Sequence, residues 1–115
     1  ILNDENIQED FDEISVHELN DRFNNNKLCT VLDVREIHEI QIAKIKGTIH
    51  IPMKEVQNRI NELNLNEEII VHCKTGKRSA KICKILIENN FKIVKNLKGG
   101  IIAWSKEIDS SIPVY

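Results

Sequence analysis

Glu68-Ile69-Ile70-Val71-His72-Cys73-Lys74-Thr75-Gly76-Lys77-Arg78-Ser79 places an apolar strand, a polar turn and the opening of a helix in direct succession. Ile69, Ile70 and Val71 form a short apolar run with turn residues after it, the pattern of a buried strand. From Ser79 to Asn90 the apolar residues recur at helical spacing, with Ala80, Cys83 and Ile87 expected on one face. One thiol, Cys73, therefore stands at the base of a strand-to-helix loop. Lys74, Lys77 and Arg78 bring cations close to it, and a helix N-terminus adds positive potential. Such surroundings favour thiolate, the reactive form of cysteine. Gly76 allows a backbone angle that a side chain would forbid. Ser79 stands where an N-cap is expected. If the loop curls, the amides of Lys74, Thr75, Gly76, Lys77, Arg78 and Ser79 converge on the sulfur and on any anion bound there. The segment reads as a cradle with Cys73 as nucleophile and residues 74–79 as its binding ring.

Working outward, strands and helices alternate. Ile14-Ser15-Val16 is expected as a short strand, with Ser15 and Glu18 forming a capping box for a helix that buries Leu19 and Phe23. Cys29 to Val34 is a β-branched strand, and Glu36 to Gln41 a short helix. Thr48 to Ile51 forms a strand stopped by Pro52. Met53, Val56, Ile60 and Leu63 recur at helical spacing. Ile93 to Leu97 is a fifth strand, and Gly99-Gly100 opens a last helix carrying Ile101, Ile102, Trp104 and Ile108. The alternation predicts an α/β fold: one domain, about five strands in a mostly parallel sheet, and helices on both faces. In such sheets functional groups gather beyond the carboxyl ends of the strands. Arg35 follows the second strand as Cys73 follows the fourth, so both are expected at one crevice. Arg35 is assigned to substrate and Asp33 to its support, with a structural Asp33–Arg35 ion pair as the alternative.

Composition narrows the possibilities. A chain of 115 residues is the size of one domain. Residues 1–13 are strongly acidic and are read as a linker or tail, with the domain proper at 14–115 and the whole as a piece of a longer protein. A net charge of −2 offers no overall basic field for nucleic acid. The apolar runs fall far short of the ~20 residues that span a bilayer. Three cysteines without a C-x-x-C pair argue against a disulfide framework or structural zinc, and suit a reducing, cytoplasmic setting. Cys29 and Cys83 are expected in the core. His72 neighbours Cys73, but successive strand residues face opposite ways, so it is expected to pack elsewhere. His17, His38 and His50 lack metal-ligand spacing, and no metal or organic cofactor is expected. Trp104 is expected as a core anchor.

These motifs resemble those of the rhodanese-like sulfurtransferases. Cys73-Lys74-Thr75-Gly76-Lys77-Arg78-Ser79 is similar to that family's C-x-x-G-x-R-S loop. Leu32-Asp33-Val34-Arg35-Glu36 with His38-Glu39 resembles its strand-end motif, residues 43–52 its G-H-I-P-G-A-x-x-I-P segment, and residues 97–104 its L-x-G-G-x-x-x-W ending. Ala43, Lys44 and Lys46 depart from the usual Gly, His and Pro, which bears on the shape of a connection rather than on the nucleophile. The tail, through Ile112-Pro113-Val114-Tyr115, resembles the C-terminal rhodanese domain of molybdopterin-synthase adenylyltransferase/sulfurtransferase proteins. The resemblance implies that Cys73 carries a sulfane sulfur as a persulfide. The donor would be thiosulfate or the persulfide of a cysteine desulfurase, and Arg78 and the loop amides would hold the transferred atom. The implied acceptor is a ubiquitin-like sulfur carrier of molybdopterin or thiamine-type biosynthesis. Two other classes share the scaffold. Non-catalytic interaction modules commonly lack the cysteine, which is present here. Related phosphatases place five residues between Cys and Arg, whereas four separate Cys73 from Arg78.

Overall fold

The computed structural model describes residues 11–27 and 29–115. The chain runs β1 (Asp12–Ile14), α1 (Val16–Asn24), β2 (Thr30–Asp33), α2 (Ile37–Ile42), β3 (Ile49–His50), α3 (Val56–Arg59, flanked by single 3₁₀ turns), β4 (Ile69–His72), α4 (Lys77–Glu88), β5 (Val94–Leu97) and α5 (Gly100–Glu107). The five strands lie in the order β1-β5-β4-β2-β3, and every neighbouring pair is parallel. The expected α/β sheet is therefore present, wholly rather than mostly parallel.

Strand parity divides the core in two. Leu32, Ile69, Val71 and Val94 point to one face, where they meet Val56, Ile82, Cys83 and Leu86 of α3 and α4. Val31, Ile70 and Leu97 point to the other, where they meet Val16, Leu19, Ile101 and Trp104 of α1 and α5. Each central strand is thus buried on both sides, which is why β4 reads as continuous apolar sequence. Trp104 anchors the second core edge-to-face with Phe23, their ring centroids 5.7 Å apart.

Several elements lie elsewhere than the sequence suggests. The first strand begins at Asp12 and ends at Ile14, because Ser15 takes the N-cap of α1 and Val16 is already helical. The Ser15–Glu18 capping box forms as expected. β1 is an edge strand, and an edge tolerates the exposed Asp12 and Glu13 that look like linker. The acidic stretch before it, residues 1–10, lies outside the described residues. Cys29 precedes β2 and is half-buried rather than within the strand. In α4 the fully buried positions are Ser79, Ile82, Cys83 and Leu86, with Ala80 and Ile87 at the margin. The buried face is the one that Ile82, Cys83 and Leu86 turn to the sheet. No helix among the described residues is long and apolar enough to cross a membrane.

Candidate active site

Cys73 immediately follows β4, and its loop closes over it within a single turn. Sγ lies 3.1 Å from the Gly76 amide, 3.4 Å from the Ser79 amide and 3.3 Å from the Ser79 hydroxyl. The residue is only 1% exposed, yet the following backbone wraps the sulfur rather than splaying away. Burial opposes the anion. The Ser79 hydroxyl and the amides of Ser79, Gly76 and Thr75 outweigh it and hold the thiol below its ordinary value. By contrast, burial pushes Cys83 up to about 12, and Cys29 also rises. One thiol of the three is thus tuned toward reactivity.

The loop is shaped from outside as well. The Ile101 and Ile102 amides at the start of α5 donate to the Cys73 and Lys74 carbonyls at 3.0 and 3.2 Å. In a trans peptide the C=O and the next N–H point opposite ways. Drawing these two carbonyls toward α5 therefore turns the Lys74 and Thr75 amides toward the cradle. The approach is so close that a Cβ on Gly100 would sit 2.4 Å from the Lys74 oxygen and 2.6 Å from the Cys73 oxygen. On the other side, the Asn96 carboxamide donates to the Gly76 carbonyl at 3.0 Å. Gly76 itself has φ +113°, a left-handed angle open to glycine.

Gly76, not Ser79, occupies the N-cap position of α4. Ser79 sits in the helix's first turn, fully buried, with its hydroxyl spent on Cys73 and Asn96 rather than on a free amide. Thr75 and Lys77 are exposed on the rim, while Lys74, Gly76 and Arg78 are half-buried. Lys74 Nζ lies 4.5 Å from the centre of the Tyr115 ring. Arg78 is held in a two-pronged pair with Glu39 at 2.7 and 2.9 Å. Those hydrogen bonds hold the Glu39 carboxyl far below the usual carboxylate range. The loop amides, not a free guanidinium, therefore ring the sulfur.

Arg35 does not join the cradle. It is fully buried, bonded to both Asp33 oxygens, to the Ala43 carbonyl at 2.8 Å and to the Tyr115 hydroxyl at 2.8 Å. Parity explains the correction. Asp33 is in register with His72, so Val34 continues beside Cys73 and Arg35 points to the opposite face of the sheet. His72 is buried on that opposite side, with Nδ1 3.3 Å from the Cys73 carbonyl and Nε2 3.4 Å from Asp33. Burial pushes its pKa down, and it contacts the backbone of Cys73 rather than the thiol.

Glu39, Asn96, Gly100 and Tyr115 surround the site without having been singled out from sequence. Glu39, Gly100 and Tyr115 lie within motifs quoted from the sequence, though none was given a role there, and Asn96 shows only as a polar residue in an expected strand. The Tyr115 hydroxyl donates to Glu39 at 2.7 Å and accepts from Arg35, which ties the tail to both.

The family model for the rhodanese-like domain matches residues 15–107. The chain belongs to the rhodanese-like domain family. Among relatives of this rhodanese-like domain, the candidate sulfur carrier protein YrkF of Bacillus subtilis (strain 168) is 39% identical over 93 residues, covering 81% of this chain and 50% of that protein. The protein named sulfurtransferase of Allochromatium vinosum is 30% identical, covering 82% of this chain and 88% of its own. The adenylyltransferase and sulfurtransferase UBA4 of Meyerozyma guilliermondii is 32% identical, over 89% of this chain but 26% of that protein. This chain thus spans about half of YrkF and a quarter of UBA4. Among solved structures, the rhodanese-like domain protein from Staphylococcus aureus superposes with a TM-score of 0.79 at 30% identity, covering 91% of this chain and 99% of that one.

Proposed function

We propose that this rhodanese-like domain is a sulfurtransferase that carries sulfane sulfur as a persulfide on Cys73. The observation that carries the reading is the ring of donors around one depressed thiol: the Gly76 and Ser79 amides and the Ser79 hydroxyl within 3.4 Å of Sγ. The membership of the family and the sulfurtransferase names among its relatives support it.

With thiosulfate as donor, the Cys73 thiolate attacks the outer sulfur. A new S–S bond forms at Sγ, the old S–S bond of thiosulfate breaks, and sulfite leaves with the bonding pair. The negative charge then resides on the terminal sulfur, which the amides turned inward by α5 and Asn96 solvate. An acceptor nucleophile attacks that terminal atom and the Cys73 thiolate departs. One difficult transfer becomes two easier ones. Fixed amide dipoles suit this task because they need no reorganisation as charge moves. Arg78 contributes by holding the loop's end against Glu39 of α2. The acceptor in this reading is a ubiquitin-like sulfur carrier, given the likeness to UBA4, and the donor is thiosulfate or a cysteine desulfurase persulfide. In this reading the reactive free thiol suits a reducing compartment such as the cytoplasm.

The test is intact-mass measurement after incubation with thiosulfate, together with thiocyanate formation from thiosulfate and cyanide. One added sulfur mapped to Cys73, and loss of turnover in Cys73→Ala, are expected. Equal turnover in the two proteins would refute the role of Cys73.

A further inference from the structure

Asn96 lies in β5, is 5% exposed, and takes no part in the steps above beyond its grip on Gly76. That grip sets the carboxamide's orientation. With Nδ2 given to the Gly76 carbonyl, Oδ1 faces the Ser79 hydroxyl 2.5 Å away. Oδ1 has no proton, so Ser79 is the donor in this contact. Ser79 Oγ also lies 3.3 Å from Cys73 Sγ. A hydroxyl has one proton, so Ser79 can donate to Oδ1 or to Sγ but not to both.

Charge on the sulfur decides between them. A thiolate is the stronger acceptor, because hydrogen bonds to ions are roughly twice as strong as neutral ones. Once Sγ carries a second sulfur, the charge sits one atom farther out. Sγ is then a neutral, two-bonded sulfur and, like a thioether, a weak acceptor. The carboxamide oxygen becomes the better partner.

We infer that Asn96 is a positioning residue for the sulfur-loaded state: its Oδ1 accepts the Ser79 hydroxyl's hydrogen bond when charge leaves Sγ, which stabilises the persulfide relative to the thiolate. This rests on the persulfide reading above. Loading moves one sulfur and releases sulfite, as already balanced. The Ser79 proton only rotates, and no proton is exchanged with solvent.

Two substitutions separate this role from a structural one. Asn96→Ala removes both the oxygen facing Ser79 and the nitrogen holding Gly76. Asn96→Asp keeps an oxygen for Ser79, loses the nitrogen, and adds a charge that opposes the nearby thiolate more than the terminal sulfur beyond it. Intact mass at a fixed thiosulfate-to-sulfite ratio reads the loaded-to-empty ratio. It is expected to fall roughly fivefold in Asn96→Ala, the worth of one neutral hydrogen bond, and to hold or rise in Asn96→Asp. If Asn96 only braces Gly76, both variants lose the same bond and both ratios fall. That result, or an unchanged ratio in Asn96→Ala, would overturn the inference. Alkylation rate against pH on the unloaded proteins gives a second readout. The Cys73 pKa is expected at or below wild type in Asn96→Ala, where the Ser79 proton is free for Sγ, and above it in Asn96→Asp. The reverse order overturns the inference. Should Asn96→Ala not fold, Asn96→Asp decides alone by the same two readouts. Should the wild type gain no sulfur, the persulfide reading fails, while the alkylation order still tests whether the Ser79 proton has two partners.

Discussion

Gly100→Ala tests whether α5 shapes the cradle. The added Cβ would fall 2.4 Å from the Lys74 oxygen and 2.6 Å from the Cys73 oxygen, and both are backbone atoms that no rotamer change can clear. Gly100 also sits at φ +60°, where a Cβ costs about 1–2 kcal/mol. Relieving the overlap means moving α5 off the loop, at about 1–3 kcal/mol by analogy with overpacked cores. The Ile101 and Ile102 bonds to the two carbonyls would weaken as well, at about 1 kcal/mol each. Because these terms overlap, the expected loss of folding stability is about 4 kcal/mol by urea titration. Gly47→Ala is the control. Gly47 has φ +86° but nothing within 4 Å of its Cβ position, so only the strain of about 1–2 kcal/mol should appear. The functional consequence is separable. With the carbonyls released, the peptide groups after Cys73 are no longer held toward the cradle, and the pH midpoint of Cys73 alkylation should rise in Gly100→Ala but not in Gly47→Ala. A Gly100→Ala protein with the stability of Gly47→Ala and an unmoved midpoint would refute the argument.

Cys73 should be alkylated at lower pH than Cys29 or Cys83, as peptide mapping of the modified protein will show, since it alone of the three is held below the ordinary 9.0. By linkage, a depressed acid stabilises the fold above its unfolded pKa and loses that contribution as pH falls through the folded one. Wild type should therefore gain stability over Cys73→Ser as pH rises toward 9.0, measured by urea midpoints across that range. Arg78→Ala should lower stability by about 2 kcal/mol, because it leaves the almost buried Glu39 carboxylate without its charged partner. Sulfur transfer should fall with it, and Arg78→Lys should recover less than half of either, since a lysine cannot supply two parallel bonds. Arg35→Ala should be the most damaging of these for folding, at about 3–5 kcal/mol, because it strips the fully buried Asp33 carboxylate of its guanidinium partner. A well-folded Arg35→Ala with impaired turnover would instead return Arg35 to the site.

The nucleophile loop was legible because its cues are local. An apolar run long enough for one strand, a glycine three residues after a cysteine, and a helical pattern beginning just beyond require no knowledge of the rest of the chain. Ser79 shows where local reading stops. It has the chemistry of an N-cap, but the turn at Gly76 is tight enough for the helix to begin at Lys77, which draws the hydroxyl inward to Cys73 and Asn96. Arg35 was misplaced for a different reason. The parity that turns it away from Cys73 follows from the β2–β4 register, and register depends on how two separate strands pair.

The amino-acid pattern by itself determined the alternation of strands and helices, the division of each central strand between two cores, and the position of one thiol at a strand's carboxyl end. These follow from periodicity and side-chain size, which act over a few residues. Only the tertiary structure decided which way the loop's peptide groups face. Their orientation is set by Asn96, Ile101 and Ile102, by the room left at Gly100, and by the Glu39–Arg78 pair at the loop's end. Hydrogen bonds between distant segments are short-ranged and directional, so they exist only once the sheet has brought those segments together.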